Sequence, residues 1–436
     1  MMIISILLIS AFILYTNQPG GGITEQKEKP KEKPEEKPEE EHIKIKETKP
    51  RGADRFGFVC FNEYALKDLN LGWVRPHPGP FIWGRIERVK GKYDFSEADK
   101  VVKTAQEMGL NILATIWPYA EWDQKRWGKT NITVIEDFPE LPRSRFKPYD
   151  MEAYRAFVKA LVERYDGDGV NDMPGLKRPI KYWEVLNEPE AQSKEKDGRL
   201  ECFFQGDASD FYDLLKATYE AIKEADPEAT VIIGGAATLK GEGSREFLRE
   251  VLRLGGGKYF DVAAVHSYED EMDDFNVDEL KSLLKEFNLE KPIWVTEVGP
   301  KPEMTRDDDA EFVKAAVRAF ARGAEVLFFD HDPGVVMAYI LGDFSSVKRI
   351  GEGTYRFDVN GEIVYVIWSP GHIPEEISGE VYVIDIYGKV KRMDVSEVRI
   401  TEEPIYITAS NKIAKRIEKC PMGVALPPKE KKAPAS

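Results

Sequence analysis

Between Arg55 and Asp330, short apolar runs alternate with amphipathic stretches eight times, and few folds can absorb that pattern. The runs are RFGFVCF (55–61), LGWVR (71–75), NILATIW (111–117), KYWEVLN (181–187), TVIIGG (230–235), YFDVAAVHSY (259–268), PIWVTEV (292–298) and AEVLFFD (324–330). Each is too short for a helix and rich in β-branched and aromatic residues, so each reads as a strand. Stretches with helical spacing lie between them: Ser96–Met108, Asp150–Arg164, Asp207–Glu224, Ser244–Leu254, Val277–Phe287 and Asp307–Arg322. In Asp150–Arg164 the apolar face is Tyr154, Phe157, Val158, Leu161 and Val162. Strand–helix alternation predicts parallel βαβ units, and this length suits an α/β (β/α)8 TIM barrel over residues 51–344. A doubly wound open sheet alternates in the same way, but no G-x-G-x-x-G follows the first run. The helix after the eighth strand reads as shortened or missing.

Both flanks differ from this body. Met2–Tyr15 is apolar and fourteen residues long, short for a membrane span and suited to the core of a signal peptide. The first lysine is Lys27 and no A-x-A site follows, so residues 1–19 are either a signal peptide or an uncleaved N-terminal anchor. Residues 20–50 contain KEKPKEKPEEKPEEE (27–41), which has nothing to bury and predicts an extended, disordered stalk. That order places the folded body outside the cell, secreted or tethered to its surface. HIKIKET (42–48) alternates as an extra strand would. After Ser345 the period changes from helical to alternating. TYRFDVNGEIVYVIWSP turns at Asn360-Gly361, a hairpin signal; VYVIDIYGKVKRMDV turns at Gly388; PIYITAS adds a strand. Residues 345–412 are thus expected to form a small antiparallel β-sandwich-like domain, and 413–436 a tail.

The net charge of −15 excludes a general nucleic-acid binder and disfavours anionic lipid, leaving the N-terminal segment as the only membrane contact. The density of Glu, Lys and Arg resembles the surface ion networks of thermophile proteins. Cys60, Cys202 and Cys420 fit no metal motif; a Cys60–Cys202 disulfide and buried thiols are both open. Asp166, Asp168 and Asp172 alternate with glycines before the fourth strand, at the base of the barrel. Their oxygens suit a structural Ca2+, or simply an Asp/Gly turn. Asn131-Ile132-Thr133 matches the glycosylation acceptor pattern.

In a barrel of this kind, polar residues at the C-terminal ends of strands face the active site. Those ends offer Cys60, Asn62, Glu63, Arg75, His77, Trp117, Glu121, Trp122, Asn187, Glu188, His266, Tyr268, Glu297, Asp330 and His331. They offer no lysine for a Schiff base and no Gly-rich phosphate loop. Glu188 and Glu297 end the fourth and seventh strands, roughly opposite each other. Side chains projecting inward from there could approach to the ~5–5.5 Å at which two carboxyl groups cleave a glycosidic bond with retention.

WEVLNEPE (183–190) and WVTEVG (294–299) resemble glycoside hydrolase clan A, with WVR (73–75), Gly91, Tyr93-Asp94-Phe95, Asp99 and the His266-x-Tyr268 pair extending the likeness. The small C-terminal β domain resembles that of family 39, and family 5 type enzymes share the motifs. The resemblance implies that Glu188 is the acid/base and Glu297 the nucleophile of a retaining hydrolase of β-linked oligo- or polysaccharides, with no cofactor required. It implies that Arg75 and Tyr268 support Glu297, that Asn187 holds a sugar hydroxyl and that His266 lines the site. Trp117 and Trp122, at strand ends, are either sugar platforms or core and rim packing. Where the clan places a tryptophan after strand eight, this chain has LFFDHDPG, so Asp330 or His331 would contact sugar instead. A carbohydrate-binding surface protein and a transglycosidase are the alternatives on the same scaffold.

Overall fold

The structure is a computed structural model that describes residues 53–61, 66, 69–128, 139–194, 200–268, 273–299, 305–330 and 332–421. The expectations for residues 1–50, including the strand at 42–48, fall outside those residues, as do Asn62, Glu63, Asn131, His331 and the last part of the tail.

The chain runs β1 (Ala53–Val59), β2 (Leu71–Arg75), α1 (Trp83–Ile86), α2 (Ser96–Glu107), β3 (Asn111–Ile116), α3 (Glu121–Gln124), α4 (Met151–Glu163) and β4 (Tyr182–Val185). A short hairpin, β5 (Gln192–Lys194) and β6 (Leu200–Cys202), follows. Then come α5 (Ala208–Ala225), β7 (Thr230–Ile233), α6 (Glu242–Arg253), β8 (Ala263–Tyr268), α7 (Val277–Glu286), β9 (Ile293–Gly299), α8 (Arg306–Arg322), β10 (Ala324–Phe329) and α9 (Asp332–Leu341). Eight strands pair in parallel in the order β7-β4-β3-β2-β1-β10-β9-β8. Bridges Ile232–Val262 and Ala236–Val265 join the two ends, so the sheet closes into the expected barrel.

Helix starts follow from local chemistry. Asp150 accepts from Ala153 N to cap α4, and Asp207 accepts from Asp210 N to cap α5. Thr305 and Asp308 cap α8 reciprocally, and Gly323, with φ 109°, ends it. The eighth helix is present as α9. Its residues Val335, Val336, Met337, Ala338, Ile340 and Leu341 are all buried. It lies against β1, α8 and a later helix, so it is apolar on every side and carries no amphipathic period to read.

The antiparallel domain is one six-stranded sheet, in the order β11 (Phe344–Gly351), β12 (Thr354–Val359), β13 (Glu362–Ile367), β16 (Ile405–Thr408), β14 (Glu380–Asp385), β15 (Val390–Asp394). Val359 pairs with Glu362 across Asn360 (φ 52°) and Gly361 (φ 80°), the tight turn that this dipeptide favours. The expected tail begins instead with α10 (Asn411–Ile417), capped by Ser410 and burying Ile413, Ala414 and Ile417. Seven residues were too few to show a helical period. No disulfide joins Cys60, Cys202 or Cys420.

Phe344 ties the sheet to the barrel. Its ring lies 5.0 Å from Phe320 of α8 and 5.2 Å from Phe357 of β12, with Arg55 of β1 over it at 4.8 Å. Phe344→Ala should cost about 3–5 kcal/mol, whereas Ile363→Ala, at an exposed position, should stay within ~0.5 kcal/mol. Chemical denaturation should show one transition moved to lower denaturant for Phe344→Ala; two separate transitions in the parent protein would mean that barrel and sheet unfold independently.

Candidate active site

Side chains alternate along a strand, so the residue two positions beyond an inward-facing one faces inward a layer higher. The lower barrel interior is aromatic and aliphatic: Trp73, Leu113, Ala264, Trp294 and Phe328 pack there with Tyr182. Trp73 meets Tyr182 edge-on at 4.7 Å, and Tyr182 stacks on Trp294 at 5.4 Å. One layer higher the same strands present Arg75, Thr115, Glu184, His266 and Thr296, all fully buried. The apolar layer is the floor on which this polar layer rests.

Arg75 organises the polar layer. Its Nε donates to Glu184 Oε2 at 2.8 Å, its Nη1 to Glu297 Oε2 at 2.8 Å and its Nη2 to Asn187 Oδ1 at 2.5 Å. Thr115 Oγ1 donates to the same Glu184 oxygen at 2.6 Å. Burial pulls the guanidinium pKa down, but Glu184 and Glu297 outweigh it and raise it, so Arg75 is a fixed cation.

Alternation alone would turn Glu297 away from the interior, because Thr296 already points in. A register shift between β8 and β9 corrects this: Val265 pairs with Val295, but His266 pairs with Glu297. The bulge aims Glu297 into the barrel mouth, a common use of bulges beside active sites. Glu188 is aimed by the backbone too. Leu186 (φ 66°) and Glu188 (φ 42°) are both left-handed, a conformation costing each of order 1–2 kcal/mol that surrounding contacts must offset.

The Tyr268 hydroxyl lies 2.8 Å from Glu188 Oε1 and 2.7 Å from Glu297 Oε1. Laid end to end these contacts span 5.5 Å, so the two carboxylate oxygens are no farther apart than that. The phenol has one proton and can donate to only one carboxylate at a time. His266 Nδ1 is 2.7 Å from Glu188 Oε1, and its Nε2 is 2.9 Å from Thr296 Oγ1. The side chains of Glu188 and Glu297 keep 9% and 19% of their exposure while Arg75 has none, so a ligand could reach the carboxyl pair but not its support. Gly235 and Gly299 leave the room this needs. A Cβ on Gly235 would meet His266 Nε2 at 2.3 Å, and one on Gly299 would meet the Tyr268 ring at 2.2 Å.

Burial pushes the Glu297 pKa up, but the nearby His77, His266 and Arg75 charges and the Tyr268 hydrogen bond prevail and hold it at about 2. Burial, then the charges of Glu188 and Glu297, raise Tyr268 well above the usual phenol. Glu190, two residues beyond Glu188, is raised to about 8 by burial and by Glu188.

Arg75, Asn187, Glu188, His266, Tyr268 and Glu297 thus form one hydrogen-bonded cluster. The tryptophans offered as platforms stand apart from it. Trp117 is fully buried, its Nε1 donating to Pro78 O and its ring packed near His77 and Phe203, so it presents no surface to a sugar. Trp122 donates to Glu87 O and packs edge-on against Trp83. Asp330 is half-buried just beyond β10. Asp166, Asp168 and Asp172 do converge, with ligand oxygens within 4.8 Å of one another. Yet their carboxylates accept from the N–H groups of Gly167, Asp168, Gly169 and Val170, which suits a self-capped turn, and any ion there would have to compete with those bonds. Glu184 and Thr296 lie within their strands rather than at the C-terminal ends, so no strand-end rule points to them.

Residues 171–327 match the family model described as glycosyl hydrolase catalytic core. That stretch resembles the catalytic core of glycosyl hydrolases. It contains β4, β7, β8 and β9, the strands that bring both glutamates. Solved structures support the fold. A family 39 glycoside hydrolase from Bacteroides cellulosilyticus WH2 aligns at 17% identity over 83% of this chain and 81% of its own, with a TM-score of 0.56. A GH39 β-xylosidase from Caulobacter crescentus aligns at 13% identity over 83% and 97%, at 0.58. The catalytic domain of GH30 xylanase C from Talaromyces cellulolyticus aligns at 13% over 83% and 98%, at 0.51.

The cluster predicts a pH dependence. With its pKa held below that of the unfolded chain, Glu297 stabilises the fold above about pH 4.5, and that contribution is lost as pH falls through about 2. His77→Phe removes one of the electrostatic neighbours that hold the Glu297 pKa down, so the acidic limb of kcat/KM should move to higher pH, each unit of movement costing about tenfold at a fixed acidic pH. An unmoved limb would show that His77 does not tune this carboxylate.

Proposed function

We propose that this glycosidase cleaves β-linked glycosides by double displacement, with Glu188 as acid/base and Glu297 as nucleophile. The observation that carries the reading is the single Tyr268 hydroxyl within hydrogen-bond reach of both carboxylates, which limits the separation of their facing Oε1 atoms to 5.5 Å. Retaining pairs sit ~5–5.5 Å apart, whereas inverting pairs need ~6.5–9.5 Å to admit a water.

In the first step Glu188 gives its proton to the glycosidic oxygen while Glu297 attacks the anomeric carbon. The C–O bond to the leaving group breaks and a glycosyl ester of Glu297 forms. Glu188, now a carboxylate, takes a proton from water as the water oxygen attacks the same carbon and releases Glu297. Two inversions restore the configuration. Arg75 keeps Glu297 ionised and holds one of its oxygens, leaving the other to react. Asn187 Oδ1 is committed to Arg75, so its Nδ2–H is the group it offers to a sugar hydroxyl. The chemistry uses these side chains alone. Because the solved neighbours include a β-xylosidase and a xylanase, aryl β-xylosides and β-glucosides are the first substrates to try.

The apolar run at 2–15 and the charged, proline-rich segment after it support a location outside the cell, tethered or secreted, which protease accessibility on intact cells tests.

The two glutamates separate by kinetics. Glu297→Gln should abolish turnover of every substrate. Glu188→Gln should still react with an activated aryl glycoside and then stall, while losing about 10²–10⁴-fold on substrates with poor leaving groups. Azide should rescue Glu188→Gln to a β-glycosyl azide and Glu297→Gln to the α anomer. The same anomer from both variants would overturn the assignment.

A further inference from the structure

The left-handed turn at Leu186–Glu188 aims Glu188 at the substrate, and its backbone is tied at Leu186 N, which donates to Ile116 O at 3.1 Å, and at Glu188 O, which accepts from Ala191 N at 3.1 Å. Its other supports come from the segment after β7. Gly235 O accepts from Glu188 N at 3.0 Å, and Ala236 O accepts from His266 N at 2.8 Å. Ala237 N donates to Glu190 Oε1 at 2.6 Å. The Glu190 carboxyl also takes hydrogen bonds from Thr238 N–H and its own N–H. Three consecutive residues, 235 to 237, thus hold Glu188, its partner His266 and Glu190.

We propose that Glu190 is a positioning residue for Glu188: its side chain clamps the far end of the turn to the segment after β7, so that Glu188 is gripped on both sides. Gly235 holds the turn at the Glu188 amide and Glu190 holds it two residues later, with Pro189 stiffening the link between them. Because Glu188 is displaced by any slack in that turn, loss of the clamp should damage proton transfer before it damages substrate binding. The clamp needs an acceptor rather than a charge: the backbone N–H groups it grips are neutral donors, and burial holds the Glu190 pKa at about 8. Glutamine should therefore replace it, and alanine should not.

This inference rests on Glu188 being the acid/base, and the test separates the two claims. kcat/KM is measured for Glu190→Ala, Glu190→Gln and Glu188→Gln on a dinitrophenyl glycoside, which needs no protonation, and on an alkyl glycoside of the same sugar, which does. Glu190→Ala should lose on the order of ten- to a hundredfold on the alkyl glycoside, with KM there nearly constant, and under about threefold on the activated one; Glu190→Gln should stay near the parent on both. Azide should accelerate kcat of the alanine variant on the activated substrate. If Glu190→Ala fails to fold, Glu190→Asp, one methylene too short to reach Ala237 N, carries the same comparison. Equal losses on both substrates, or none, overturn the clamp provided Glu188→Gln shows the leaving-group dependence. If Glu188→Gln shows no such dependence, it is the acid/base reading that fails.

Discussion

A buried guanidinium cannot be left alone. Taking a cation out of water costs several kcal/mol even after relaxation, and only well-placed acceptors compensate. Arg75 has no exposure, so its three acceptors from β4, the turn after it and β9 must all be in position when the barrel closes. This makes the site a consequence of the fold's closure. Removing Glu184 or Asn187 would leave Arg75 underpaired, and removing Arg75 would leave two buried carboxylates facing each other. Glu297 is ionised and oriented because the barrel cannot accommodate Arg75 in any cheaper way.

The regular part of the barrel supplies the floor and the cation; its irregularities supply the chemistry. An unbulged β9 would turn Glu297 away from the mouth, and an extended residue at 188 would carry its carboxyl out of reach of His266 and Tyr268. These distortions have local supports that are themselves irregular: the missing side chains at Gly235 and Gly299 and the run of backbone contacts from 235 to 237. Tyr268 then couples the two halves through one hydroxyl, whose single proton can move toward either carboxylate as their charges change.

The sequence disclosed what depends on period and motif. Eight apolar runs gave the barrel strands to within a few residues at each end, and Asn360-Gly361 marked the hairpin. Glu188 and Glu297 were found by their motifs and strand-end positions, and what the sequence did not show is the bulge that brings Glu297 inward beside Thr296. A bulge is a relation between two strands and has no signature in either one alone. For Trp117 the sequence left platform and packing both open; whether His77 and Phe203 enclose the ring is a matter of tertiary packing. The last two helices were hidden for different reasons, α9 by being buried on all sides and α10 by its length. Glu190 was overlooked because its partner, Ala237, contributes only a backbone N–H.

The central claim is that Glu297 attacks the anomeric carbon. A 2-deoxy-2-fluoro β-glycoside with a dinitrophenolate leaving group slows both steps but the second most, so the glycosyl-enzyme should accumulate. Intact-mass and peptide mass spectrometry after incubation should find one fluorosugar per chain, attached to Glu297, with activity returning as the adduct is discharged by an acceptor sugar. Label on Glu188 instead, or inactivation without any covalent adduct, would contradict the account.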